Sequence, residues 1–357
     1  MKFYILILVL LIVTATYPQG KSKVVVANDD RIRKIDSLLT SLVPEGLDGV
    51  ILIKSKDSVL LHKAYGFADR ASGRTMKLDT GFDIGSLVKP FTKAAILKLQ
   101  EHGKLSTSDT LSKYFKSVPE DKAAITIDQV IRHTAGLPDS FGSDYAVMTA
   151  DELLTKVLAA PLVSKPGEKR NYSNSGYSLL AMIIEKTSGR SYEEYIRKEI
   201  FEPAGVRRIG YSLAGWRKAD LAVGSFDGKP WGTPLDKTWA KDGPYWNLRG
   251  NGGMLATAEE TSRWFEAVLD GKVLGPAALK EFLDSSSGIS QTLGLRVVGV
   301  VGGNNVFNSL QYSVIEPDFH FQFASSNSKQ AAEDVWLKFR DELFALAKEN
   351  GPPAQNK

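Results

Sequence analysis

A serine placed three residues before a lysine can be a nucleophile beside its base. This chain holds two such pairs, Ser86/Lys89 and Ser326/Lys329. On a helix, positions i and i+3 share a face, so hydroxyl and amine can meet. A serine hydroxyl is a weak nucleophile until a neighbour takes its proton, and a lysine can do so where burial or nearby positive charge favours its neutral form. The settings of the two pairs differ. Lys89 sits in FDIGSLVKPFTKAAILKL, an apolar stretch in which a lysine is costly to bury without a purpose; Ser326 sits in SSNSKQAAED, a polar junction where it reads as a helix cap. A tyrosine with an asparagine two residues on also occurs twice, as Tyr172-Ser-Asn174 and Tyr245-Trp-Asn247. A phenol near an ammonium can relay protons, and an asparagine can both hold that ammonium and donate to a substrate carbonyl. Tyr172 leads directly into a helical pattern, whereas Tyr245 lies in a tryptophan-rich loop. Taken alone, Tyr172-Ser-Asn174 reads as a turn tyrosine before an asparagine N-cap.

Other chemistries find little support. Gly210-Tyr-Ser212-Leu-Ala214 is the nearest approach to Gly-x-Ser-x-Gly, and it falls in a loop; His-Glu-x-x-His, a P-loop and Gly-x-Gly-x-x-Gly do not occur. The histidines His62, His102, His133 and His320 are scattered, with no metal-ligand spacing. A Ser–His–Asp triad stays open, because its members need only meet in space. With no cysteine in the chain, disulfides, thiol catalysis and zinc thiolates are excluded. No metal and no cofactor is expected.

The 357 residues are 43% apolar and 24% charged, an ordinary globular composition with room for about two domains. The net charge of +4 is spread among interspersed signs, so nothing calls for nucleic acid or an anionic membrane. Lys2 followed by the apolar run Phe3 to Val13, with Val13-Thr14-Ala15 beyond it, reads as a signal peptide over residues 1–20. The run is short for a bilayer span, so an exported protein without a stable membrane span after signal cleavage is expected, with a retained N-terminal anchor as the alternative.

Apolar spacing and turn signals then give the order of elements. A helix over 29–43 precedes two strands within 49–69. A helix over 86–102 stops at Gly103. Helical pieces follow at 126–133, 150–159, 174–188 and 191–201. Residues 206–250 are loop-like and hold four of the six tryptophans. Helices at 257–270 and 275–284 precede strands at 292–301, 308–316 and 319–325 and a closing helix over 328–349. This order suggests an α+β fold: one antiparallel sheet built from both ends of the chain and flanked by helices. The sheet domain would comprise 24–100 and 246–349, with a mostly helical insert over 101–245 and a loose tail at 350–357.

With these motifs in place, the chain resembles the serine β-lactamase and penicillin-binding superfamily, in its class C β-lactamase, DD-peptidase and family VIII esterase branch. The resemblance rests on FDIGSLVKPFTKAAILKLQEHGKLSTSDTLSKYF (82–115), ITIDQVIRHTAGLPD (125–139), NYSNSGYSLLAMIIEKTSGRSYEEYIRKEIFEPAGV (171–206) and GNGGMLATAEETSRWFEAVLDGK (250–272), in the family's order. It implies the β-lactamase/transpeptidase-like fold and a monomer. It also implies Ser86 as nucleophile, Lys89 as its base, Tyr172 in proton transfer and Asn174 as the asparagine that binds lysine and substrate. The Ser86 backbone N–H would form half of an oxyanion hole, and His133 would belong to a structural His-Thr-x-Gly turn.

The family's third motif, Lys or His-x-Gly on a late strand, is absent. Aligning Phe307-Asn-Ser309 with the family's Phe-Ser-Ser puts Val300 or Val301 where the cation belongs, followed by Gly302 and Gly303. The glycines allow a close backbone approach, and the second oxyanion N–H is expected from Gly303 or Asn304. The reading is an exported serine hydrolase that forms an acyl-enzyme on a small-molecule or peptide ester, amide or peptide bond. The alternatives are a weakened or inactive protein that binds peptide or peptidoglycan-like ligands, and a true β-lactamase or DD-carboxypeptidase.

Overall fold

The computed structural model describes residues 23–226, 229–284, 289–292, 295–316, 318–326 and 332–349. The expected leader, the tail at 350–357 and Lys329 lie outside them. Seven strands form one antiparallel sheet: β1 (Val25–Val26), β2 (Gly49–Ser55), β3 (Ser58–Tyr65), β4 (Ile289–Thr292), β5 (Leu295–Gly303), β6 (Asn308–Val314) and β7 (Phe319–Ser325), in the spatial order β1-β3-β2-β7-β6-β5-β4. The two ends of the chain meet where β2 pairs with β7, Gly49 opposite Ser325 and Ser55 opposite Phe319. The β2–β3 hairpin turns through Lys56, whose φ of 50° is the left-handed conformation a tight turn needs. Edge strand β4 was not expected from sequence. Its Ile-Ser-Gln-Thr has one strongly apolar residue and is too short to show alternation.

Strand alternation sorts the two faces of the sheet. Ile51, Ile53, Phe319, Phe321, Phe323, Leu310 and Val314 point to one side. There they pack with Ile32, Ile35 and Leu39 of helix α1 (Asp30–Leu42) and with Phe339 and Leu343 of the C-terminal helix Ala332–Glu349. The opposite face carries a buried polar row: Ser309, Gln311 and Ser313 on β6, His320 and Gln322 on β7. The helix Ala258–Leu269 lies on that side, against β2, β6 and β7.

A second, larger core surrounds helix α2 (Val88–Glu101) and helix α3 (Asn174–Ser188) and extends to Trp264 and Phe265 of Ala258–Leu269 and Phe282 of Pro276–Asp284. α2 is buried nearly all round, which explains its continuous apolar run. Phe91 meets Trp264 edge-on at 4.4 Å and Phe201 at 5.1 Å. The middle helices begin at capping boxes, Thr126/Gln129, Thr149/Glu152 and Ser191/Glu194. The expected 191–201 helix ends at Ile196 and continues as a wider turn over Arg197–Phe201. Among the described residues no helix is long and apolar enough to cross a membrane, and no group of three or more His, Asp or Glu could hold a metal ion.

Candidate active site

Ser86 stands in a 3-10 turn (Gly85–Leu87) that runs directly into α2. Two short strands, Phe82–Asp83 and Leu255–Ala256, pair just before it and fix where the helix starts. The Asp83 carboxylate accepts from Gly85 N at 2.8 Å, from the Tyr145 hydroxyl at 3.2 Å and from Asn304 Nδ2 at 3.2 Å. It thus ties the turn that carries Ser86 to the loop at Tyr145 and to the end of β5. Full burial pushes this carboxyl up to about 6, against those three donors. Gly85 has φ +50°, and a Cβ there would fall 2.3 Å from Gly303 N; a Cβ on Gly302 would fall 2.4 Å from Ile84 O and 2.7 Å from Ser86 N. The glycines let β5 lie directly against the turn that carries Ser86.

One helical turn on, Lys89 is 5% exposed. Its Nζ donates to Ser86 Oγ at 2.9 Å, to Asn174 Oδ1 at 2.6 Å and to the Asn251 carbonyl at 2.8 Å. Three acceptors match the three N–H bonds of an ammonium. Burial nevertheless pulls the amine down to about 7, with Asp139 and Asp144 pulling the other way. Ser86 Oγ also lies 2.7 Å from the Tyr172 hydroxyl. Burial pushes that phenol up to about 12, only partly offset by the hydrogen bond with Ser86. At neutral pH the phenol therefore keeps its proton, and the lysine is the group that can be neutral.

The Tyr172-Ser173-Asn174 corner is held by its neighbours. Ser173, not Asn174, caps α3: its hydroxyl accepts from Gly176 N at 2.9 Å. This corrects the reading of Asn174 as a cap, and it leaves the Asn174 side chain for Lys89. Both residues suit a cap, and backbone geometry chose the extended one, Ser173 with φ −144°. His133 adopts φ +59°, its Nδ1 accepts from Ser173 N at 3.1 Å, and its ring lies 4.5 Å from Tyr172 and 5.0 Å from Tyr177. Burial, then the charges of Lys89 and Arg170, push the imidazole down to about 3. His133 is thus a neutral support for Tyr172, as a turn histidine should be.

The two candidates for a second oxyanion donor separate cleanly. Asn304 N donates to Phe307 O at 2.9 Å, and its side chain accepts from Val306 N and Phe307 N while donating to Asp83. Asn304 is therefore a turn residue whose N–H is already taken, which leaves Gly303 as the candidate for the second oxyanion donor. Antiparallel ladders alternate bonded and non-bonded pairs. With Asn304 bonded to Phe307, the next bonded pair is Gly302/Ser309, and Gly303, opposite Asn308, points its N–H out of the ladder. Gly303 is exposed and lies against Gly85–Ser86. Val300 and Val301 line the same cavity, and Val301 is 43% exposed.

Sequence reasoning missed Asn251 and Asp83. Asn251 lends its carbonyl to Lys89, and its side chain donates to Ser178 Oγ and Asn247 O. Its signal was the Gly250-Asn-Gly252-Gly253 run. Gly250 (φ +84°) has no room for a Cβ, which would fall 2.5 Å from Ala181 Cβ. A backbone carbonyl has no residue type of its own, so its role was invisible. Of the tryptophan-rich segment, Trp231 packs on Phe307 and Tyr145 rather than lining the cavity at Ser86.

The β-lactamase family model matches residues 39–302 of this geometry. The chain belongs to the β-lactamase family. Among its relatives, the putative penicillin-binding protein PbpX of Bacillus subtilis (strain 168) is 30% identical over 301 residues, covering 82% of this chain and 74% of that one. The octameric penicillin-binding protein homologue from Pyrococcus abyssi superposes with a TM-score of 0.73 at 24% identity, over 89% of this chain and 77% of that chain. The D-amino acid amidase of Ochrobactrum anthropi SV3 gives 0.71 at 22% identity, over 90% and 99%. The α+β β-lactamase-like fold expected from sequence is thus the observed one, and the chain is a serine hydrolase of the β-lactamase family.

Proposed function

We propose that the protein hydrolyses an ester, amide or peptide through an acyl-enzyme on Ser86. The observation that carries this is the double contact of Ser86 Oγ, 2.9 Å from Lys89 Nζ and 2.7 Å from the Tyr172 hydroxyl. Neutral Lys89 accepts the Ser86 proton as Oγ attacks the carbonyl carbon. The oxyanion forms between Ser86 N–H and Gly303 N–H, and Asn174 positions the substrate. Collapse of the tetrahedral intermediate expels the leaving group. Tyr172 gives that group its proton and recovers one from Lys89. A water then attacks the acyl-enzyme by the same transfers in reverse order. Treatment with a fluorophosphonate should add one adduct by intact mass, absent in Ser86→Ala; an adduct surviving on another serine sinks the assignment.

The uncharged strand favours ester or amide substrates over β-lactams, so the β-lactamase reading ranks below the esterase or peptidase one. The Ser86–Lys89–Tyr172 geometry likewise argues against an inactive binding protein. Export is proposed from Lys2 and the apolar run behind it; N-terminal sequencing of protein recovered outside the cytoplasm tests it. A monomer is proposed as well, and light scattering would separate it from an assembly such as the octamer of the archaeal homologue.

A further inference from the structure

The cavity at Ser86, about 240 Å³, extends well beyond the reacting atoms. The 3-10 turn that leads into α2 contributes Ser86 to its wall, and α2 contributes Lys89, Pro90 and Lys93. These are positions i, i+3, i+4 and i+7, a single stripe along the helix. At 1.5 Å per residue the stripe runs about 10 Å from the nucleophile to Lys93. The other walls are mostly apolar: Phe265 and Phe282 on the helical side, Val298 and Val300 from β5. Among the described residues no acidic side chain lines the cavity, whereas Lys89, Lys93 and Arg170 do.

Lys93 is the unexplained member. It is 4% exposed, and among the described residues its Nζ has one hydrogen-bond acceptor, the Phe282 carbonyl at 2.5 Å, together with the Phe282 ring at 4.7 Å. Lys89, on the same stripe, fills all three donors. Arg132 acts on Lys93 against its protonation, and Glu281, Asp128 and Asp284 act for it, through charge and without forming an ion pair among the described residues. Asp128 is engaged by Arg132 at 2.8 Å and Glu281 by Gln100 at 2.7 Å. Closing the last turn of the helix Pro276–Asp284 takes one N–H and could be done by an exposed lysine. Burying an amine with N–H donors unfilled is unfavourable, and Lys93 lines the cavity that also holds Ser86.

We propose that this trough is a subsite for the acyl part of the substrate, an apolar chain ending in a carboxylate that Lys93 receives. The inference rests on the acyl-enzyme reading above. The apolar walls beside Lys93 suit a carboxylate on an aliphatic stem better than a phosphate dianion. The cation absent from β5 at Val300 and Val301 would thus have a counterpart on the helix, at the far end of the same cavity.

The test uses p-nitrophenyl hemi-esters of linear dicarboxylic acids of six to ten carbons, each matched to its methyl-ester-capped analogue. In the wild-type protein one chain length should show kcat/KM tenfold or more above its capped partner. That ratio should fall to about one in Lys93→Met and be retained in Lys93→Arg. Turnover of the esters without preference at any length, or a preference that survives Lys93→Met, overturns the subsite. Calorimetric titration with suberate needs no turnover: binding should weaken tenfold or more in Lys93→Met, and equal or absent binding in both proteins overturns the proposal. Failure to cleave any ester, with suberate binding intact, would count against the hydrolase reading alone.

Discussion

At the residue scale, the assignment of the base turns on two shifts in opposite directions. Burial lowers an amine and raises a phenol, because each is held in its neutral form. Lys89 falls to about 7 while Tyr172 rises to about 12. Activity should therefore rise with pH through about 7, as Lys89 loses its proton. It should then stay level through the mildly alkaline range, and a pH profile of kcat/KM checks this. A rate that instead keeps climbing toward the phenol's own value, about 12, would give the base role to Tyr172. Lys89→Ala and Tyr172→Phe should each lower kcat by ~10²-fold or more, the range of general acid–base contributions. As members of one proton path, their losses should not multiply in the double variant; fully multiplicative losses would mean independent action.

At the element scale, β5 does two things that its sequence shows unequally. Its glycines bring backbone against Ser86. Gly302→Ala should push the nucleophile turn away, since the new Cβ would meet Ile84 O at 2.4 Å. A loss of ~10²-fold in kcat/KM is expected for a misplaced nucleophile, with the circular dichroism spectrum unchanged; wild-type activity would show that the turn tolerates the shift. The valines remove a charge. A charge-assisted hydrogen bond to a substrate carboxylate contributes ~1.5–3 kcal/mol, so nitrocefin should show a lower kcat/KM than p-nitrophenyl butyrate on one preparation. The reverse order would mean that a cation from another element reaches the β-lactam carboxylate. Much of this element was legible: the Gly302-Gly303 pair and the missing cation could be read by counting back from Phe307. Which N–H faces the oxyanion was not legible, because that depends on ladder parity, set by the bond between Asn304 and Phe307.

At the scale of the whole molecule, the site is held together by groups that resist protonation. His133 titrates near 6.5 in an unfolded chain and is pushed down to about 3 when folded. The unfolded state therefore binds the proton first. The contribution to stability is complete above about pH 6.5 and is lost as pH falls toward about 3, up to roughly 4–5 kcal/mol. Lys89 and Lys93, both pulled down to about 7 chiefly by burial, act in the same sense at higher pH, between about 10.5 and 7. His133→Asn keeps a residue that tolerates positive φ and an acceptor for Ser173 N. It should lower the melting temperature at neutral pH, through lost stacking on Tyr172 and Tyr177, yet move the acid-unfolding midpoint to lower pH. Unchanged acid unfolding would place the sensitivity elsewhere.

Local chemistry alone determined which residues could react and where most elements lie. Ser86 and Lys89 share a face at any helical i, i+3 spacing, and the apolar periods of α2, α3 and the late strands are one-dimensional signals that need no neighbour. The N-cap at Ser173, the Asn251 carbonyl under Lys89 and the turn role of Asn304 were decided by tertiary structure. Each depends on backbone groups, which every residue carries alike and which acquire a role only when distant segments pack. Lys93 belongs with them. In sequence it is one more lysine after Lys89; only the packing of α2 against Phe282 makes it a buried lysine on the wall of the cavity that holds Ser86.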